Sequence, residues 1–261
     1  MERSTWWTTA VSDIEPGSIR YRGYPVEEVI DGASFASTIW LLLRGELPSP
    51  AQARLLERAL VAGADHGPQA PSIAIARMAM TCGVGVNNAM ASAINVLGDV
   101  HGGAGEQLME ILAGLADADD LPSAVADVRR RLRYVPGFGH RFHPRDPRRD
   151  PLVGAVTRAV ADGVVAGRHL EVALEIERQL SEGRERAVPM NIDGATAIIY
   201  AELGFAPALG RGLFVLSRAV GALAHAWEES GSGARNKGPV PRDQLAAYAG
   251  PPPRHLEPRG D

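Results

Sequence analysis

Apolar residues in this chain recur mostly at intervals of three and four, the spacing of one helix face, and seldom alternate as in a half-buried strand. "SFASTIWLLLRGELPSP" predicts an apolar helix stopped by Gly45 and Pro48. "SPAQARLLERALVAGA" starts another, with Ser49 as N-cap, Pro50 in the first turn and a buried stripe of Leu55, Leu56, Ala59 and Leu60. Further helical patterns cover about 72–97, 103–116, 121–133, 151–180, 194–204 and 209–228, separated by Gly, Pro or Asp. The first 25 residues differ: Trp, Thr, Val, Ile and Tyr around "DIEPGS" predict a short β-hairpin. No βαβ alternation, convincing repeat or long linker divides the chain. From Ser230 onward Gly and Pro predominate, which predicts an extended arm ordered only where it packs on something. The expected fold class is all-α (mainly α) with a short N-terminal β-hairpin.

Met78 to Gly98 runs 21 residues without a charge, long enough to span a bilayer. Asn87, Asn88, Asn95 and three glycines argue against that, and the many Ala, Gly and Ser residues suit a helix buried in a soluble interior. With 261 residues and 45% hydrophobic content, a sizeable core is expected. A net charge of -4 and a pI near 6.0 argue against bulk attraction to nucleic acid or a membrane surface, so any bound anion must be met locally. A lone cysteine, Cys82, allows no internal disulfide, and "MERSTWWTTAV" lacks the order of a signal peptide; a cytoplasmic location is expected.

Charge and histidine concentrate in "YVPGFGHRFHPRDPR", residues 134–148. His66 in "ADHGP", His101 in "GDVHGGAGE" and His140 in "PGFGH" all stand at helix boundaries beside Gly or Pro. Catalytic groups favour such loop ends, and so do capping histidines. His140 and His143 with Asp146 or Asp150 offer metal-ligating atoms, but Pro136, Pro144 and Pro147 break the helix that i, i+4 ligands need. Arg141, Arg145, Arg148 and Arg149 would repel a cation and suit a carboxylate or phosphate instead, so no metal is expected. "RRRLRY" at 129–134 reads as the solvated end of an amphipathic helix, with a nucleic-acid patch and a cofactor phosphate contact as the alternatives. "PGFGH" is neither a P-loop nor a dinucleotide fingerprint, yet Gly137 and Gly139 would let a ligand approach the backbone. Asp193 in "VPMNIDGATAIIY" is an N-cap or an acid/base group. Three histidines, one carboxylate and several arginines suit proton transfer beside a carbonyl on an anionic substrate.

In order and nearly end to end, these motifs resemble the citrate synthase family. "IRYRGYPVEEVI" with "LLLRGELP" resembles its N-terminal signature, "DHGP" its first substrate-histidine segment and "HGGAGE" its His-Gly-Gly loop. "VPGFGHRFHPRDPR" resembles the loop from Pro-Gly-x-Gly-His to Asp-Pro-Arg, "NID" the catalytic aspartate motif and "LSRAVGALAHAWEE" a substrate-arginine segment. The short passage "GELPSPAQARLLERALVAGADHGP" is more similar to citryl-CoA lyase, and to the citryl-CoA lyase module of ATP-citrate lyase, than to full-length synthases.

The resemblance implies a two-domain helical fold in a homodimer or higher oligomer, with a large domain of 1–101 plus 206–261 and a small domain of 102–205. It implies His101, His140 and Asp193 as catalytic groups and His66, Arg148 and Arg218 as substrate ligands. Pro136, Gly137, Phe138, Gly139 and Arg145 would lie along coenzyme A. Synthases send an arm arginine into the neighbouring subunit's site; here the arm departs in spacing, and Arg242 is the candidate, with Lys237 and Arg235 as substitutes. The expected reaction is reversible cleavage of citryl-CoA to acetyl-CoA and oxaloacetate, with a coenzyme A thioester as substrate. The alternatives are condensation to citrate or a 2-alkylcitrate, and a non-catalytic CoA-binding partner subunit.

Overall fold

The computed structural model describes residues 6–238 and 240–256, the Arg242 side chain excepted. Strands β1 (Ser12–Glu15), β2 (Ser18–Tyr21) and β3 (Tyr24–Pro25) form an antiparallel sheet in chain order, Ser12 opposite Tyr21 and Arg20 opposite Pro25. The expected hairpin therefore gains a third short strand. Its second turn places Arg22 (φ 51°) beside Gly23 (φ 92°), which sends the Arg22 guanidinium to the Leu42 carbonyl at 3.1 and 2.7 Å.

The helices follow as α1 (Val26–Gly32), α2 (Phe35–Arg44), α3 (Pro50–Gly63), α4 (Pro71–Thr81), α5 (Val86–Asn95) and α6 (Ala104–Leu115). After them come α7 (Leu121–Arg131), α8 (Arg149–Ala161), α9 (Arg168–Ser181), α10 (Ile192–Glu202) and α11 (Pro207–Ser230). Ser49 caps α3 as expected, in a reciprocal capping box with Gln52.

Two predicted helices are each a pair. The 72–97 pattern breaks at Gly83 (φ 83°) into α4 and α5, and 151–180 breaks at Gly163 (φ 69°) and Gly167 (φ 85°) into α8 and α9. The second break is fixed by Glu202, whose carboxylate accepts the Gly167, His169 and Leu170 amides at 2.8, 2.8 and 3.0 Å. The uncharged stretch from Met78 is buried on one side only. Ala89 and Ala93 close against Ala222 and Ala226 of α11, while Asn87, Asn88, Ala91 and Asn95 face outward. Among the described residues no helix is long and apolar enough to cross a membrane.

The core is organised around α10. From Gly194 to Ala201 it carries no charge, and Ala195, Ala197, Ile198, Ile199 and Tyr200 are all buried, so the helix is enclosed on every side. One cluster joins it to residues of α2, α3, α6, α8 and α9. At its C-terminus Arg44 donates to the Leu203 and Gly204 carbonyls at 3.1 and 2.8 Å while stacking on Trp40 and Phe205. Its N-terminus, carrying Asp193, is thereby held inside the molecule. After α11 the Asn236 and Lys237 amides are bonded to Thr81, and a 3-10 turn follows at Arg242–Gln244, before the last described residues.

Candidate active site

Asp193 lies in the first turn of α10, but Asn191 is the N-cap: its Oδ1 accepts the Asp193 and Gly194 amides at 2.9 and 3.2 Å. The Asp193 carboxylate is thus left for other work. Burial pushes its pKa up, against the opposing pull of Arg218 and Arg148. Asn191 also reaches the histidine loop, its Nδ2 donating to Gly139 O at 2.8 Å and its amide to Gly137 O at 3.0 Å.

Gly137 (φ 83°) packs on Gly194; a Cβ at 137 would lie 2.7 Å from Leu108 and 2.9 Å from the Gly194 Cα. Its conformational freedom permits this close contact. Gly139 (φ 77°) is less confined, with only Val188 near, at 3.6 Å from a Cβ placed there.

His140 Nδ1 accepts the amides of Phe142 and His143 at 3.0 and 3.1 Å, which places the ring proton on Nε2. That nitrogen stands 4.0 Å from Asp146 Oδ2. His101 is fixed the other way round: its Nε2 accepts the Ser72 amide at 3.1 Å, with Ser72 Oγ at 3.0 Å, so its proton is on Nδ1. His66 Nδ1 accepts from Arg148 at 3.3 Å, and its ring centroid is 6.1 Å from that of His140. Burial, and then Arg148, Arg218 and His140, drive the His66 pKa down to about 4. Burial likewise lowers His101 and His140. All three are neutral imidazoles at neutral pH.

Asp146 ties the loop together. Almost fully enclosed at 1% exposure, it accepts the Arg148 amide and Nε at 3.0 and 2.9 Å through Oδ1, and Arg148 NH2 and the Ile192 amide at 2.9 and 3.1 Å through Oδ2. Burial works against its ionised form, but these bonds outweigh it and hold the pKa below the usual range. Arg218, 3% exposed, makes a long bond from Nε to Gly63 O at 3.4 Å and lies over Phe214. A buried guanidinium so thinly bonded is suited to an incoming anion.

The structure thus brings His66, His101, His140, Arg148, Asp193 and Arg218 into one electrostatic cluster. Arg145 is engaged elsewhere, held in two-pronged fashion by Asp150 at 2.8 and 2.6 Å. A hollow of about 610 Å³ beside His140 is lined by Gly139, Arg141, His143, Arg184 and Arg186. The Arg242 side chain lies outside the described residues. Asn191 stands inside a quoted motif without an assigned role and Asp146 enters there only as a rejected metal ligand, whereas Ser72, 29 residues before His101, gives no sequence signal. Among the described residues no group of three or more His, Cys, Asp or Glu side chains could hold a metal ion.

A helical fold with this histidine, aspartate and arginine constellation defines a class, and the comparisons agree: the family model "Citrate synthase, C-terminal domain" matches residues 1–54 and 48–238, so the chain belongs to the citrate synthase family. Within it, the structure is similar to citryl-CoA lyase from Hydrogenobacter thermophilus, with a TM-score of 0.86 and 30% identity over 97% of this chain and 98% of that one. The ATP citrate lyase of Methanothrix soehngenii, solved with citrate and coenzyme A, shares the fold over 96% of this chain and 43% of its own, at TM-score 0.84 and 20% identity. The glyoxysomal citrate synthase of Cucurbita maxima is 33% identical over 196 residues, 72% of this chain but only 37% of that relative's length.

Proposed function

We propose that this protein catalyses the reversible cleavage of citryl-CoA to acetyl-CoA and oxaloacetate. The observation that carries this reading is the similarity to a citryl-CoA lyase, at 30% identity and a TM-score of 0.86 over 97% of this chain. Supporting it are two neutral histidines with opposite tautomers and, in the same electrostatic cluster, a carboxylate whose burial favours the protonated form.

In cleavage, the bond between the hydroxyl-bearing carbon and the CoA-bearing methylene breaks. The hydroxyl proton leaves to solvent water while the Nε2–H of His140 steadies the alkoxide oxygen as it becomes the ketone of oxaloacetate; Asp193, entering protonated, delivers its proton to the methylene carbon, giving acetyl-CoA, and regains one from solvent. His101, with its proton on Nδ1, steadies the enolate oxygen. In condensation the path runs in reverse: Asp193, ionised, takes the methyl proton, and the Nε2–H of His140 steadies the carbonyl oxygen as it becomes an alkoxide that is protonated from solvent. His66, Arg148 and Arg218 bind the carboxylates and hydroxyl. Coenzyme A lies along the hollow beside His140, where Arg141, Arg184 and Arg186 are placed for its phosphates.

Product analysis tests the direction. Citryl-CoA should yield acetyl-CoA and oxaloacetate; if it is untouched while acetyl-CoA and oxaloacetate give free coenzyme A and citrate at a catalytic rate, the protein is a synthase. D193A should lower either rate by at least about 100-fold, the effect of removing a positioned acid/base group. A parent no faster than the uncatalysed reaction, and unchanged in D193A, would instead mark a non-catalytic CoA-binding subunit. We further infer that two copies pair through the outer face of α11.

A further inference from the structure

Seven residues beyond Arg218, α11 carries His225, which the mechanism above does not use. Its side chain is 17% exposed and lies between two charged neighbours. Nδ1 is 3.1 Å from Arg77 NH1 on α4. A guanidinium only donates, so Nδ1 is the acceptor and the ring proton is on Nε2. That N–H faces the Asp65 carboxylate, 3.2 Å from Oδ1 and 3.3 Å from Oδ2. Arg77 is itself oriented by Glu228 and by the buried Glu229, the latter at 2.6 Å.

Asp65 immediately precedes His66. Its carboxylate also accepts the Gly67 amide at 3.2 Å, closing the turn at Gly67 (φ 77°). The residue before it is pinned to the same helix, Gly221 donating to Ala64 O at 3.0 Å, and a Cβ on Gly221 would overlap that carbonyl. The His66 turn therefore has two anchors on α11, one backbone contact at Gly221 and one directed side-chain bond at His225.

We propose that His225 is a positioning residue: through Asp65 it locks the His66 turn to α11, so that His66 and Arg218 meet the substrate as one rigid unit. This rests on the functional reading above. A loop of Asp, His, Gly and Pro has no regular backbone ladder to fix it, whereas α11 is a packed helix and Arg77 sets the direction of the His225 donor. Asp65 is 48% exposed, so plain charge attraction there is screened, and it is the direction of the bond that matters. Misplacing a substrate-binding group by about 1 Å can cost on the order of 100-fold in rate.

The test is a small set of variants of the full chain, assayed with oxaloacetate and acetyl-CoA and with citryl-CoA. H225F keeps the ring's bulk and removes the donor; H225Q restores an N–H near the place of Nε2. H225F should raise KM for oxaloacetate and citryl-CoA by about tenfold, the worth of one directed hydrogen bond, with a smaller change in kcat. H225Q should recover most of that loss, and D65A/H225F should be no worse than the poorer single variant. A parental KM in H225F, an H225Q no better than H225F, or multiplying losses in the double variant would each overturn the proposal. Histidine 15N spectra at neutral pH supply a readout without turnover: His225 should carry its proton on Nε2, and H225F should shift the His66 signals while leaving those of His169 in place. If the parent turns over neither substrate set, the functional reading has failed, and the spectra still decide the role of His225.

Discussion

His101 and His140 hold their protons on opposite nitrogens, and in each case backbone amides make the choice, from Ser72 for one and from Phe142 and His143 for the other. Backbone donors survive side-chain substitution. S72A should therefore leave kcat within about threefold of the parent, because the remaining hydroxyl contact is worth about 1 kcal/mol or less, whereas H101A should lower kcat by about 100-fold or more through loss of the enolate donor. Asp146 offers the opposite case, a buried carboxylate whose four bonds have no substitute. D146A should destabilise the fold by about 3 to 5 kcal/mol, the cost of leaving a buried partner unpaired, which a denaturant titration would read. The same cluster sets a pH dependence. His66, with a folded pKa near 4 against 6.5 in the unfolded chain, binds fewer protons when folded across that window, so its contribution is present above pH 6.5 and is lost as pH falls toward 4. His101 and His140 act in the same direction, while Asp193, raised, gains stability for the folded state as acid is added above its usual 3.8. Stability measured from pH 7 down to 4 should fall, and H66Q should flatten the slope.

Among the elements, the junction of α10 with the histidine loop is the most constrained. Gly194 faces Gly137, and a Cβ on Gly194 would overlap both the Gly137 carbonyl and Met190. G194A should force the loop away from Asp193 and reduce kcat/KM by roughly 100-fold, in line with a displacement of about 1 Å. G139A meets only Val188, so it should cost about 1 to 2 kcal/mol of backbone strain at a positive φ, lowering thermal stability with a much smaller kinetic effect. Sequence showed the existence of these elements but not this contact. The helical period, the Ser49 cap and the glycine breaks are local signals and were legible, although Gly83, Gly163 and Gly167 split helices that periodicity alone runs together. The motifs carrying His66, His101, His140, Arg148, Asp193 and Arg218 were legible through resemblance. Ser72 and His225 were not, because each acts through a partner far along the chain, 29 residues away for Ser72 and 160 for the bond between His225 and Asp65.

The whole molecule is bounded by the second face of α11. Its inner side buries Leu213, Ser217, Arg218, Ala222 and Ala226, and its outer side leaves Leu216, Val220, Leu223 and Trp227 exposed at 50, 60, 44 and 72%. Their spacing of four, three and four residues stacks them in one stripe. A contiguous apolar stripe of this kind is what a symmetric pairing of two copies covers, the same face serving both partners. The consequence reaches the active site, because Arg218 and the His66 anchor ride on the opposite side of this helix and share its position. Placing charges in the stripe, as in V220E/L223E, should convert a dimer into a monomer in sedimentation velocity at micromolar concentration. Activity should fall with the dimer, and the loss should be relieved at higher protein concentration if the single chains still fold. A parent that sediments as a monomer at those concentrations, or a monomeric variant with full activity, would show that α11 meets water in the working protein and that the site is complete within one chain.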